Sequence, residues 1–416
     1  MSARRLTLVF CLAEVCSMTG FATFAALLPG FVAEWSLSGT RAGWINGVFF
    51  AGYVAAVPFL VSLTDRRDPR HVYLASAALT AVSSLGFALY AEGFWTALLF
   101  RALAGVGLAG TYMPGLKSLT DHLGGDHLPP ALRGRSLAFY TSTFSIGTSV
   151  SFLLAGALAA RWGWSWAFGL SALGPAIAFL LVWRGVPPAA EDHLPPVQHH
   201  VLDFRPILAN ARAMAYVLAY TLHNWELFAL RSWIVGFLVF AQAQQAGGAL
   251  GVGWSATVLA AALNLLALPA SVLGSEAAER FGRRRVVVGV MLVSAAAGCL
   301  FGVSAAWPFL VVLAVAVLYC LTVPGDSAAI TTGAVAAARP GQRGQTMAVH
   351  STIGFLGGFA GPLVFGMVLD LGGGAGTLLG WGLAFASSGL AVALGPLALL
   401  WLDPGPQRRK EGGGPR

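Results

Sequence analysis

Arg133-Gly134-Arg135-Ser136-Leu137-Ala138-Phe139-Tyr140 opens one long apolar segment, and Arg343-Gly344-Gln345-Thr346-Met347-Ala348-Val349-His350 opens another 210 positions later (343 − 133). The same offset relates Pro114-Gly115 to Pro324-Gly325, Gly147 to Gly357 and Gly156 to Gly366. Asp65-Arg66 and Glu279-Arg280 stand 214 apart (279 − 65). One matched dipeptide carries little weight. Several at nearly one offset indicate a duplicated unit, and the segments around them say what the unit is.

Hydrophobic residues make up 57% of the 416 and charged residues 10%, where a soluble globular chain carries about a quarter charged. Too few charges remain to cover a water-facing surface, and the mean hydropathy of +0.73 agrees. One membrane crossing needs roughly 20 apolar residues. Apolar segments lie near 6–30, 42–63, 71–90, 95–118, 136–159 and 164–184, then near 211–241, 254–275, 285–304, 307–336, 345–369 and 377–402. Each is long enough for a helix, which satisfies its own backbone in lipid. The expected fold is therefore all-α and polytopic, with twelve transmembrane helices in two pseudo-symmetric six-helix bundles. Residues 1–184 form the first bundle, 185–210 a cytoplasmic linker, 211–403 the second bundle and 404–416 a cytoplasmic tail. The first segment reads as a retained span, since the run from Leu6 to about Pro29 is too long for a signal peptide and holds Glu14.

The net charge of +8 sits in short clusters between apolar segments. With the N-terminus inside, 21 of the 25 Lys and Arg fall on or at the edge of one side, leaving Arg41, Arg101, Arg161 and Arg231. The positive-inside rule then puts both termini in the cytoplasm. Lys117 and Lys410 are the only lysines, a composition that suits a GC-rich bacterial source and hence an inner membrane. Trp162, Trp164 and Trp166 are expected in an interfacial belt at the outer ends of spans five and six. No basic stretch interleaves with aromatics, so nucleic acid is not an expected partner. The expected partners are a small-molecule substrate, protons and the lipid bilayer, and the chain is expected to act as a monomer.

Cys11, Cys16, Cys299 and Cys320 all lie in apolar segments without metal-ligand spacing. His199-His200 has no further ligands spaced to complete a site. Gly110 to Ser118 looks like a phosphate-binding loop, but Leu116 intrudes between Gly115 and Lys117, and the segment lies in a membrane helix rather than a strand-to-helix turn. No metal, cofactor or enzymatic activity is expected. Energy would come from ion or solute gradients.

Four motifs carry a resemblance. The loop after span two reads Leu63-Thr64-Asp65-Arg66-Arg67-Asp68-Pro69-Arg70, and its second-half counterpart ends Glu279-Arg280-Phe281-Gly282-Arg283-Arg284. Span four carries Arg101-Ala102-Leu103-Ala104-Gly105-Val106-Gly107, and span six begins Trp162-Gly163-Trp164-Ser165-Trp166-Ala167-Phe168. Together with twelve spans and the half repeat, these resemble the major facilitator superfamily, whose signatures are G-x-L-A-D-R-x-G-R-K and R-x-x-x-G-x-G. Val61, Asp68 and Pro69 depart from the first signature and leave its Asp65-Arg66 core. The resemblance implies a secondary carrier, symporter or antiporter, in which duplicated bundles rock about a central site. It implies that Asp65, Arg66, Arg70, Glu279, Arg280 and Arg283 act as gating loops, latching the halves on the cytoplasmic side in the outward-open state; topology anchoring is the alternative for the arginines. It also implies that Arg101 lines the cavity. Gly105, Gly107, Gly357, Gly358 and Gly361 allow close helix approach. Gly358 to Pro362 resembles a fragment of the antiporter motif but sits in span eleven rather than span five, which argues against a standard drug/proton antiporter.

An ionisable group in lipid costs about 2.5–3.5 kcal/mol or more, so it faces a cavity or a partner. Arg101 lies about 9 Å along span four, either at the substrate or paired with an acid. In span seven, His223 and Glu226 share a helix face, and Glu226 lies about 21 Å along, near mid-membrane. Glu226 serves proton or substrate coupling, or pairs with Arg101. Glu14, about 12 Å into span one, is a second acid candidate or an internal helix pair. Asp326 lines an inner cavity or caps a broken helix. Tyr140 and His350 line the inner half or pack there. Arg101, Arg231 and Lys117 could form a positive path for an anion, with snorkelling toward the outer interface as the alternative for Arg231. The expected function is secondary transport of a small organic solute, plausibly anionic and proton-coupled; efflux of a drug or metabolite by proton antiport is the runner-up.

Overall fold

The computed structural model describes residues 2–64, 66–123, 130–188, 204–245, 254–340 and 342–402, with side chains at all of these except 130, 131, 133 and 134. Every regular element among them is helical. Among the described residues eleven helices are long and apolar enough to cross a membrane. Spans two to six are Gly39–Leu63, Pro69–Tyr90, Phe94–Leu123, Arg135–Trp162 and Trp164–Gly185. Spans seven to twelve are Ala211–Ala243, Ala256–Phe281, Arg283–Ala306, Phe309–Ala337, Arg343–Leu371 and Leu378–Leu402. Large apolar side chains such as Phe59 and Leu390 lie on the outer surface, 65% and 69% exposed, as a lipid-facing wall requires.

Span one departs from the single run expected over 6–30. It is broken into Ala3–Ser17, Thr23–Ala26 and Leu28–Glu34. Pro29 sits in the first turn of the third piece, where its missing N–H would have no helical partner anyway. The break frees backbone groups inside the membrane, and other spans satisfy them. Ser151 Oγ donates to the Thr19 carbonyl at 2.7 Å and accepts from the Ala22 N–H at 2.9 Å. Thr19 Oγ1 donates to the Ser171 carbonyl at 2.8 Å. Irregular backbone survives at this depth because it is buried in protein. Span ten is interrupted likewise. A 3₁₀ turn over Val323–Asp326 separates Phe309–Thr322 from Ser327–Ala337, since Pro324 cannot donate to the preceding turn. The repeat-related Pro114-Gly115 stays inside an unbroken helix.

The spans alternate in direction, so residues 3 and 402 share one face, the terminal face, while Ser38 and Asp370 lie at the far face. The halves press together toward the far face. There the last two pieces of span one pack on span seven, and span five packs on Ala256–Leu265 of span eight in preference to its second half. Span two lies along span eleven on glycines: a Cβ at Gly43 or Gly47 would collide with the carbonyl of Pro362 or Phe359. The packing glycines read from sequence make similar contacts. Gly105 abuts the Phe49 carbonyl, Gly107 the Thr80 side chain, and Gly357 and Gly361 the carbonyls of Thr221 and Trp225; Gly358 faces the rings of Phe228 and Phe50.

Trp162 and Trp166 are exposed at the far ends of spans five and six, and Trp164 beside them is half-exposed. Its Nε1 donates to the Glu34 carboxylate at 3.0 Å and its ring packs on Phe31; Gly163, at φ 89°, makes the turn between the two spans. Of the stretch read as a linker, a short helix covers Arg205–Leu208. His199, His200 and the tail 404–416 lie outside the described residues.

Candidate functional site

Where the two halves meet near mid-membrane, a cavity of about 20 Å³ lies among Phe21, Phe50, Phe152, Phe228, Arg101 and Arg231. Asn46, Thr148 and Ser232 add neutral polar groups to its wall, and no acidic side chain lines it. That volume holds roughly one water. An organic solute enters only if the halves part.

Arg101 is 5% exposed. Its Nη1 donates to the Phe21 carbonyl at 3.3 Å, one of the groups freed by the break in span one. The guanidinium lies over the Phe49 ring, 4.5 Å from its centroid, a contact that offsets part of the desolvation of a buried cation. Nε has no hydrogen-bond partner.

Arg231 points into the same cavity and does not snorkel to the far face. Its Nε donates to Asn264 Oδ1 at 3.0 Å. Asn264, in span eight, turns its amide across the seam and donates to the Ser145 carbonyl and to Ser149 Oγ of span five, both at 2.9 Å. The rings of Phe144 and Phe228 lie 5.5 and 5.7 Å from the guanidinium. Among the described residues neither arginine has a carboxylate partner. Lys117 does not join them in a positive path, because it is paired with Asp121 at 2.9 Å on the same helix.

Glu226 does not pair with Arg101. It is buried and its Oε2 accepts from Ser294 Oγ of span nine at 2.8 Å. His223, three residues earlier, faces Asp326 instead, with Nδ1 2.7 Å from Oδ1. Asp326 stands at the start of the second piece of span ten without capping it. Tyr220 lies stacked between two imidazoles, 5.7 Å from His223 and 4.0 Å from His350. Phe355 joins this stack to span two, lying 6.5 Å from Tyr220 and 4.3 Å from Tyr53. In the first half, Glu14 is buried and accepts from Tyr140 Oη at 3.3 Å and Ser17 Oγ at 3.4 Å.

The described residues of the expected gating loops lie at the terminal face. Asp65 falls outside the described residues. Arg66, Glu279 and Arg280 are exposed and Arg283 is half-buried. Arg70 donates to the Trp183 carbonyl of span six, within its own half. Among the described residues none of these five side chains bonds across the halves. Asp68 caps span three, accepting from the Arg70 N–H at 2.9 Å.

Two residues of this machinery escaped the sequence reading. Asn264 is neutral and drew no attention among intramembrane charges, although an amide inside an apolar span is a polar signal of the same kind. Asp370, at the end of span eleven, accepts from the N–H groups of Gly39 and Thr40 at 2.7 and 2.8 Å and from Thr40 Oγ1 at 2.7 Å. Ser38-Gly39-Thr40 is a recognisable helix start, but which acid answers it is a tertiary fact.

The family model of the Major Facilitator Superfamily matches residues 10–251 and 227–416. The niacin transporter NiaP of Acinetobacter baylyi is 27% identical over 169 residues, 41% of this chain and 36% of that protein, so the match spans about a third of that transporter's length. The 3-(3-hydroxy-phenyl)propionate transporter of Escherichia coli is 26% identical over 357 residues, covering 84% of this chain and 83% of its own length. The fold matches that of a mutant form of the nucleoside transporter NupG with a TM-score of 0.78, at 14% identity and covering 95% of this chain and 99% of that one. The chain belongs to the Major Facilitator Superfamily, a family of secondary carriers that move small solutes by alternating access.

Proposed function

We propose that this carrier moves a small organic anion together with protons across a bacterial inner membrane. The observation that carries the reading is the pair Arg101, buried, and Arg231, half-buried, whose guanidiniums share one cavity and have no carboxylate partner among the described residues. Burying a cation without a counter-charge is expensive, and an anionic solute supplies that charge when it binds. Arginine suits the task, because its planar fork meets a carboxylate through two parallel hydrogen bonds. The Escherichia coli relative that matches along most of this chain carries, by its name, a propionate.

The basic residues favour a cytoplasmic terminal face. In that orientation the halves are closed on the outside, and the described latch side chains make no bond across the halves because the latch belongs to the opposite state. The bundles 1–184 and 211–403 are the rocking bodies, joined through 185–210. Of the three buried acids Glu14, Glu226 and Asp326, we assign proton coupling to Asp326, with His223 beside it. Counterflow in proteoliposomes, with a panel of organic carboxylates, sugars and cationic drugs, tests the reading. Exchange of carboxylates is expected. Exchange of cationic drugs alone would overturn it and restore the drug-efflux alternative.

A further inference from the structure

We infer that the anion is an aromatic monocarboxylate whose ring enters between Phe50 and Phe228 while its carboxylate lies between Arg101 and Arg231; this rests on the anion reading above. Phe50 belongs to span two and Phe228 to span seven, so their contact, with centroids 4.1 Å apart and planes tilted by 40°, crosses the seam between the halves. Phe21 of the broken first span stands edge-on to Phe50 at 6.2 Å, and to Phe49 and Phe144 at 5.3 Å. The cavity thus opens along a plane already walled by rings from both halves.

When the halves part, the Phe50–Phe228 contact is lost and two aromatic faces are left unpaired. A planar ring restores both contacts, in the offset or edge-to-face arrangements that aromatic pairs prefer. A saturated ring of the same size is thicker and has no quadrupole to match the phenylalanine edges. The charge arrangement limits the ligand further. Arg231 has its Nε engaged by Asn264, which leaves its terminal nitrogens for a ligand. Arg101 spends Nη1 on the Phe21 carbonyl. Two forks around one small cavity suit one carboxylate. The remaining polar wall, Asn46, Thr148 and Ser232, is neutral, and suits a hydroxyl substituent on the ring rather than a second charge.

The test is binding to the full-length carrier in nanodiscs, measured by calorimetry with benzoate, cyclohexanecarboxylate, butyrate and benzyl alcohol. Benzoate is expected to bind about threefold to tenfold more tightly than cyclohexanecarboxylate, the worth of one aromatic pair. The sign is diagnostic, because simple burial of apolar area favours the saturated ring. Benzyl alcohol is expected not to bind. In Phe50→Leu and Phe228→Leu the benzoate preference should vanish while butyrate binding persists, which shows that the variants are folded. Equal binding of benzoate and cyclohexanecarboxylate, or a preference for the latter, overturns the aromatic assignment and leaves the anion reading standing. Failure of all three carboxylates to bind sinks both.

Discussion

The carboxylate of Asp370 holds the N-terminus of span two through Gly39: Oδ1 accepts the Gly39 N–H at 2.7 Å, while Oδ2 takes the Thr40 N–H at 2.8 Å and its hydroxyl at 2.7 Å. The contact joins the last turn of span eleven to the first turn of span two, across the halves. An anion at a helix N-terminus meets unpaired N–H groups and the positive end of the macrodipole, worth up to about 2 kcal/mol when partly buried. It therefore acts as a clasp on the far-face-closed state, which must release for the carrier to turn over.

Asp370→Asn removes the charge and keeps the shape. The far-face-open population should rise by roughly fivefold to thirtyfold, the factor that about 1–2 kcal/mol gives. A cysteine introduced at Ser232, buried in the closed state, reports it through labelling by an impermeant thiol reagent added at the far face. Labelling no faster than in the Asp370 parent would show that the clasp carries no weight in this equilibrium.

Arg101 and Arg231 differ in what holds them, so they should differ in what replaces them. Arg231→Lys keeps the charge but loses the fork and the Asn264 bond, and carboxylate affinity should fall at least tenfold. Arg101→Gln removes the charge beside the break in span one and should abolish counterflow. Both variants should retain the monodisperse elution of the parent. Wild-type counterflow in Arg101→Gln would remove the residue from the substrate site.

The spans were legible in the sequence because each residue's hydropathy is read against lipid and little else. Arg101 and Arg231 were legible for the same reason, since a charge among apolar residues is conspicuous. What a charge faces was not legible. Spacing placed His223 and Glu226 on one face, yet the first meets Asp326 and the second Ser294, because the rotation of each span is set by its neighbours. The break in span one was hidden too. Gly20 and Pro29 permit it, but Ser151 of span five and Arg101 of span four, both distant in sequence, satisfy groups it frees.

Asn264 offers a test in which charge and shape point opposite ways. Asn264→Ala frees Arg231 Nε and the span-five contacts; the guanidinium loses its orientation, and KM should rise several-fold with expression unchanged. Asn264→Asp puts a carboxylate against Arg231 and supplies internally the charge that the substrate would bring. Its effect should exceed that of the alanine variant by at least tenfold, since a paired guanidinium offers little to an incoming anion. If the aspartate variant binds carboxylate as well as the parent, Arg231 is not a ligand-binding cation.

The proposed proton coupling can be tested between the buried acids by the same kind of contrast. Asp326 lies where span ten unwinds, against His223, and the stack His223–Tyr220–His350 continues through Phe355 to Tyr53 of span two. Contiguous contacts thus lead from Asp326 to the seam between the halves, and a change of charge there is expected to bias it. Glu226 is turned to Ser294 of span nine, inside the second bundle, and Glu14 to Tyr140 and Ser17 inside the first. Asp326→Asn should therefore lose accumulation driven by an imposed pH gradient and keep exchange at equal pH on both sides, because exchange needs no net proton movement. Glu226→Gln and Glu14→Gln should keep both activities within about twofold, since the amide oxygen still accepts from Ser294 in the one and from Tyr140 and Ser17 in the other. The reverse pattern, with accumulation lost in Glu226→Gln and intact in Asp326→Asn, would move the coupling site to span seven and leave the histidine stack a packing feature.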